Sequence, residues 1–396
     1  MSYPKVPIGE LVSLRQGFAI NKNTKHHISD EPTALPLLRI ADMKDKVQHV
    51  FVKDTIPAHF IAKPEDIIYT RTGQVGLVFT DQYGVIHNNC FTVTPNDTET
   101  LNRYYLYYVL QGEDFYSAAN NLASGAAQPD LPHGAFRSIE IPVPPVALQK
   151  RIAEILKGYD DLIENNQKQI KLLEEAAQRL YKEWFVDLRF PSHETTHITD
   201  GIPDGWTINE VADFGEIVTG KTPSTSKEEY YGGNIPFVKI PDMHNRVFPV
   251  TTEVCLTKEG ADTQKNKYIP RNSLMVSCIA TVGLVNIALE ECQTNQQINS
   301  VILHNKRDLY FLYFTLKQMK DLLDGVGSNG ATMTNVNKTK FGKIPVVCPT
   351  EELRNAFYEW CEPVFRKIES LSRNIILLQE ARDSLLPKLM NGEIEV

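Results

Sequence analysis

The stretch PLLRIADM at 36–43 returns, lightly edited, as PFVKIPDM at 236–243. That echo decides how the chain is organised, because the neighbours of each copy echo too. DIIYTRTGQVGLV at 66–78 matches SLMVSCIATVGLV at 273–285, aligned on the shared VGLV. YYLYY at 104–108 answers to YFLYF at 310–314, Gly125-Ala126 to Gly330-Ala331, Phe136 to Phe341, and Pro144 to Pro349. Matches that keep their order over two spans of similar length signal duplication, and a repeat this long makes two domains, not a solenoid.

Within each copy the early segments are β-branched and broken by glycine, the pattern of strands joined by a tight turn. NRYYLYYVLQG and RDLYFLYFTLKQMKDLL read as buried helices ending near glycine. Each copy then closes on proline, IPVPP at 141–145 and IPVVCP at 344–349, and hands over to a long helical pattern. Leu148, Ile152, Ile155, Tyr159 and Ile163 step by threes and fours in the first, and Leu353, Phe357, Trp360, Val364 and Ile368 hold the same places in the second. Such spacing, sustained over several heptads, predicts a coiled coil, most economically the two helices packed antiparallel on each other. At ~1.5 Å per residue each would be on the order of 60 Å long. Asn166, at a seam position, either sets register or is a tolerated edge residue. The expected fold class is α+β: duplicated domains at 1–145 and 206–349, spacer helices at 146–190 and 350–396, and a linker at 191–205 rich in proline, glycine and polar residues.

A chain of 396 residues is long enough for two cores. No apolar run approaches the ~18 residues a membrane span needs. The opening MSYPKVPIGELVSL lacks the basic and apolar regions of a secretory signal, and the six cysteines form no CxxC pair. A cytoplasmic protein with reduced thiols is the expectation. Lys and Arg number 41 against 49 Asp and Glu, with no polycationic run, so any grip on a phosphate backbone should be modest and salt-sensitive.

Three motifs invite enzymatic readings and fail on context. GEIVTGKT at 215–222 fits the P-loop pattern GxxxxGK[ST], but the other copy reads Gln16-Gly17-Phe18-Ala19, without the lysine. A P-loop also needs a helix directly after it, and here Pro223-Ser224-Thr225 and Tyr230-Tyr231-Gly232-Gly233 make loop. HETTH at 193–197 fits a zinc-protease signature but lies in the linker, not on a helix, and GVGSNG at 325–330 follows a helix instead of a strand. Acid pairs such as Asp160-Asp161 and Glu174-Glu175 read as solvated helix faces. No catalytic residue, metal site or cofactor is expected, and a P-loop NTPase remains the enzymatic alternative.

The order of parts resembles the specificity subunit of type I restriction-modification enzymes over essentially the whole chain. The resemblance rests on LPLLRIADM and IPFVKIPDM, DIIYTRTGQVG, SGAAQPDL and NGATMTNV ahead of IPVPP and IPVVCP, IPDGWTINEVADFGEIVTGKTPS between the copies, and LLPKLMNGEIEV at the end. It implies that each copy is a target recognition domain reading one half of a split, asymmetric site in double-stranded DNA. It also implies that the helices act as a ruler and a docking surface for two methyltransferase subunits, which recruit ATP-using restriction subunits, and that the specificity subunit itself catalyses nothing. A coiled-coil scaffold without DNA preference is the non-enzymatic alternative.

Arginine and lysine suit phosphate or guanine, and asparagine and glutamine suit adenine, which selects the candidate readers. In the first copy they are Arg71, Thr72 and Gln74 after the strand, His87, Asn88 and Asn89 in the next loop, and Ser124 and Gln128. In the second they are Thr281, Asn295, Gln296, Gln297, Asn329, Thr332, Asn335 and Lys338. Each is equally open to a second role, a turn residue bonding its own backbone. Arg39 and Lys239 at matched positions contact phosphate or pair with Asp42 and Asp242. Trp184, Phe185 and Trp360 are the candidate subunit-docking aromatics, with core packing as the competing use.

Overall fold

A computed structural model describes residues 3–394 and 396, apart from Ala126, Ala280 and residues 321–335. The chain divides into two compact units, one of residues 1–162 with 378–396, the other of residues 163–377.

In the first unit Val12–Gln16, Cys90–Pro95, Ile67–Thr70 and Val78–Phe79 form an antiparallel sheet in that order. In the second, Gly215–Thr219, Ile298–Leu303, Leu274–Ser277 and Val285–Ile287 form the same sheet in the same order. Both units add a ribbon from the ends of the repeat, Lys5–Pro7 on Glu140–Pro142 and Thr207–Glu210 on Pro345–Cys348. Both also carry a parallel pairing reached from the opening echo, Leu37–Leu38 on Val85 and Ile86, and Phe237 and Val238 on Gln293–Thr294. The duplication is therefore one of topology as well as of letters.

The shared VGLV is the turn between the third and fourth strands. Gly76 and Gly283 take φ of 100° and 87°, which a side chain would oppose. In each turn the preceding hydroxyl locks the return: Thr70 Oγ1 and Ser277 Oγ accept from the amides of Leu77 and Leu284, both at 2.9 Å.

The aromatic runs are helices, Arg103–Gln111, capped by Asn102 accepting from Tyr105, and Leu309–Gln318. In the first unit Tyr69, Phe91, Phe115 and Phe136 make one aromatic core, with ring centroids 5.0 Å apart for Tyr69–Phe136 and for Phe91–Phe136. In the second, Phe311 and Phe314 pack with Tyr181, Phe357 and Phe365.

The long helices run Val146–Tyr181 and Glu351–Met390. The first stops short of the expected 190: Lys182–Val186 is a π-turn, and Leu188 and Ser192 beyond it take positive φ. The 191–205 segment is not featureless. Ile198–Thr199 and Ile202–Pro203 pair as a hairpin about Asp200-Gly201, a turn dipeptide whose two positive φ values match that role. In the first unit Asp160 meets Arg382, and in the second Tyr181 meets Phe357.

Their buried face is wider than a single seam, because each helix packs against its own domain as well as the other helix. Phe357, Cys361, Phe365 and Ile368 are buried, whereas Trp360, assigned to the seam by spacing, is 41% exposed. Phe365 is drawn in by Tyr310, its ring 4.3 Å away. A polar side chain, buried in the first helix and half-buried in the second, pins each helix start. Gln149 accepts from the amide of Asn102 at 2.8 Å and donates to the carbonyls of Pro144 and Thr100. At the matching place Arg354 donates to Asp308 at 2.7 Å and to the Pro349 carbonyl.

Candidate nucleic-acid interface

In each unit, loops at one end of the main sheet converge through backbone hydrogen bonds. In the first, Arg71 N–H donates to Asn89 O at 2.8 Å, Gly73 to Pro129 O at 2.8 Å, and Leu131 to Arg71 O at 2.9 Å. In the second, Cys278 N–H donates to Gln297 O at 2.8 Å and Val336 to Cys278 O at 2.9 Å. These contacts join the 71–74, 87–90 and 124–130 loops in one copy, and the ends of the matching loops in the other. Arg71, Thr72, Gln74, Asn89, Ser124 and Gln128 are thereby brought together from stretches far apart in sequence.

What the side chains do there differs residue by residue. Arg71 forks onto Asp130, with Nη2 to Oδ2 at 2.6 Å, and donates to Gln16 Oε1 at 3.2 Å. Thr72 donates to the same carboxylate, and these bonds, Arg71 first, hold Asp130 below its usual carboxylate range. Arg71 is therefore a clamp between three segments, which its place in the sequence did not reveal. Neither Asp130 nor Gln16 was singled out by sequence, since 59 and 55 residues separate them from Arg71. Gln74, Ser124 and Gln128 are exposed, with Ser124 tied to Asp130 through both backbone groups. His87, Asn88 and Asn89 are half-buried, and burial first, then Arg39, lowers the His87 pKa, so its neutral form is favoured.

In the second copy Thr281, Gln296 and Lys338 are exposed. Asn295 is buried and closes its own turn, accepting from Gln297 N at 3.2 Å and donating to Gln297 Oε1 at 2.9 Å. These bonds are of the kind a turn residue makes with its own loop. Asn329, Thr332 and Asn335 lie outside the described residues.

Arg39 pairs with Asp42, Nε to Oδ2 at 2.6 Å. Burial pushes Asp42 up, but the bonds from Arg39 and His49 outweigh it and leave the carboxyl lowered. Lys239 does not pair with Asp242. It reaches Glu253 at 2.8 Å, because both Asp242 oxygens accept main-chain amides, from Lys239 at 2.8 Å and Glu253 at 3.0 Å.

Trp184 and Phe185 are half-buried, and Phe185 lies 5.2 Å from Phe311 and from Phe357, so these rings serve the core; Trp360 faces outward. The P-loop look-alike is the strand Gly215–Thr219 followed by loop, with no helix to hold phosphates. His193–Thr195 is one 3-10 turn, which does not set two imidazoles on one helical face. Among the described residues no group of three or more His, Cys, Asp or Glu is placed to hold a metal, and no helix is long and apolar enough to cross a membrane.

The family model "Type I restriction modification DNA specificity domain" matches the chain twice, over residues 3–175 and 203–374. The HindI type I restriction enzyme specificity subunit of Haemophilus influenzae is 32% identical, over 84% of this chain and 87% of that protein. The MjaIX specificity subunit of Methanocaldococcus jannaschii is 26% identical, over 83% and 78%. In fold, the chain is similar to a crystal structure of a type I restriction-modification S subunit from M. genitalium, with a TM-score of 0.58 at 15% identity, over 98% of this chain and 96% of that one. Two matches to one family model, laid over two copies of one topology, show that this chain belongs to the type I restriction-modification DNA specificity family, whose members supply sequence specificity without catalysing the reaction.

Proposed function

We propose that residues 1–145 and 206–349 each read one half of a split, asymmetric DNA site, and that the helices 146–190 and 350–396 hold the halves at a set stride. The same helices would dock two methyltransferase subunits, which recruit restriction subunits, and Trp360 is the aromatic left facing outward for that purpose.

One observation carries this reading. The two copies keep one backbone and change the side chains on it. At the converging loops Arg71 corresponds to Cys278, His87 to Asn295 and Asn89 to Gln297, each pair placed by matching backbone bonds, and Asn88 to Gln296 between them. A fold kept constant while its polar tips differ is what reading two different half-sites demands, since base edges are distinguished by donor and acceptor pattern. The clamped Arg71 positions the loops of the first reader, while Gln74 and Gln128, exposed beside it, carry the amide groups suited to base edges.

Exchanging residues 206–349 for the corresponding segment of another specificity subunit tests the reading. Sequencing of DNA methylated in cells that carry the hybrid should show one half-site changed and the other intact. A motif altered on both sides, or on neither, would overturn it.

A further inference from the structure

The P-loop look-alike ends in Lys221-Thr222, and the reading above leaves these two residues unused. They sit on the loop that carries Gln296. Lys221 N–H donates to Thr294 O at 2.9 Å, and Thr222 Oγ1 donates to Gln296 Oε1 at 2.8 Å. The approach is close because residue 220 is glycine: a Cβ there would overlap the carbonyl oxygens of Asn295 and Thr294.

The backbone at Lys221 is held from below as well. Its carbonyl accepts from Gln264 Nε2 at 2.6 Å, and that buried amide also donates to Gln293 Oε1 at 2.8 Å. Gln293, fully buried, donates in turn to Ala261 O at 2.9 Å. Buried amides are costly unless bonded, so this chain of them fixes where Lys221 leaves the surface. The side chain itself is exposed. Lys227 and Lys239 have carboxylate partners in Glu229 and Glu253, whereas Lys221 makes no ion pair among the described residues.

The first copy is the control. Gly17 is hemmed in the same way by His87 and Ile86, and Phe18 N–H donates to Ile86 O at 2.6 Å, matching Lys221 to Thr294. There, however, the pair is Phe18-Ala19, and Phe18 is buried against Phe60, its ring 5.0 Å away. Conversely, Arg71 at the neighbouring strand end becomes the buried Cys278. The cation has moved from one strand end to the next between the copies.

We propose that Lys221 grips a DNA phosphate of the second half-site, and that Thr222 is a positioning residue holding Gln296 toward a base edge. This rests on the reading of residues 206–349 as a DNA-reading domain. An ammonium is a compact point charge suited to a phosphate, and an oriented amide discriminates only when its rotamer is restricted.

The test uses the complex of this chain with its methyltransferase subunits. Binding is measured on duplexes carrying the site or single-base variants of the second half-site, over a range of salt. Lys221→Met should weaken all duplexes by one common factor, lower the slope of log affinity against log salt by about 1, and leave the preferred bases unchanged; Lys221→Arg should restore binding. Thr222→Val should cut discrimination at one position of the second half-site by roughly 5- to 150-fold, and Thr222→Ser should recover it. An unchanged salt slope in Lys221→Met, or unchanged base preference in Thr222→Val, overturns the corresponding assignment. If exchange of 206–349 still alters one half-site in that case, only these roles fail. If that exchange alters nothing, the underlying reading fails with them.

Discussion

Asp42 and Asp242 occupy matched positions and do different work. The first binds Arg39 and His49, while the second accepts two backbone amides and leaves Lys239 to find Glu253. The ion pairs that Arg39 and Lys239 make within the chain are thus set by partners the letters do not show. His87 gives this scale a measurable consequence. Burial and Arg39 lower its folded pKa below the ordinary 6.5, and burial with Arg71 does the same for His133. Below about pH 6.5 the unfolded chain therefore binds more protons than the folded one. The stability these groups contribute is complete above that pH and is lost as pH falls through their folded values. The melting temperature should drop between about pH 7.5 and 5.5, and His87→Gln should shrink that drop. An equal drop in the variant would place the titration elsewhere.

At the level of elements, the repeat told the story well. The aromatic helices, the VGLV turns and the two long helices all follow from local pattern, because periodicity and glycine positions are written in adjacent residues. What pattern missed was width. Spacing alone predicts a single seam, whereas each helix faces two neighbours, so Trp360 lies outside and Cys361 and Phe365 lie inside. Gly17 and Gly220 are a second lesson: their need for glycine comes from a loop some 70 residues away, not from their own φ. Gly220→Ala forces Cβ against two carbonyls that cannot swing aside as a side chain would. It should cost about 1–3 kcal/mol, read as a lower urea midpoint with an unchanged slope. A midpoint equal to wild type would mean the strand end has room the packing denies.

For the molecule as a whole, the proposed stride between half-sites is a property of helix length. Removing one heptad from each long helix keeps the apolar faces in phase and shortens them by about 10 Å, the rise of roughly three base pairs. The methylated motif should then show a gap shorter by about that number, or methylation should cease; an unaltered gap would refute the ruler. The sequence by itself determined the duplication, the strand-then-helix order of each copy, the coupling of each domain to a long helix and the family, since all of these are carried by order and local spacing along the chain. Only the tertiary structure decided which polar residues are free. Arg71 was drawn to Asp130, Asn295 into its own turn, Phe185 into the core, and Lys221-Thr222 onto the loop of Gln296. The physical reason is range: a side chain's partner is set by folding that joins residues dozens of positions apart, and no local pattern of letters encodes that meeting.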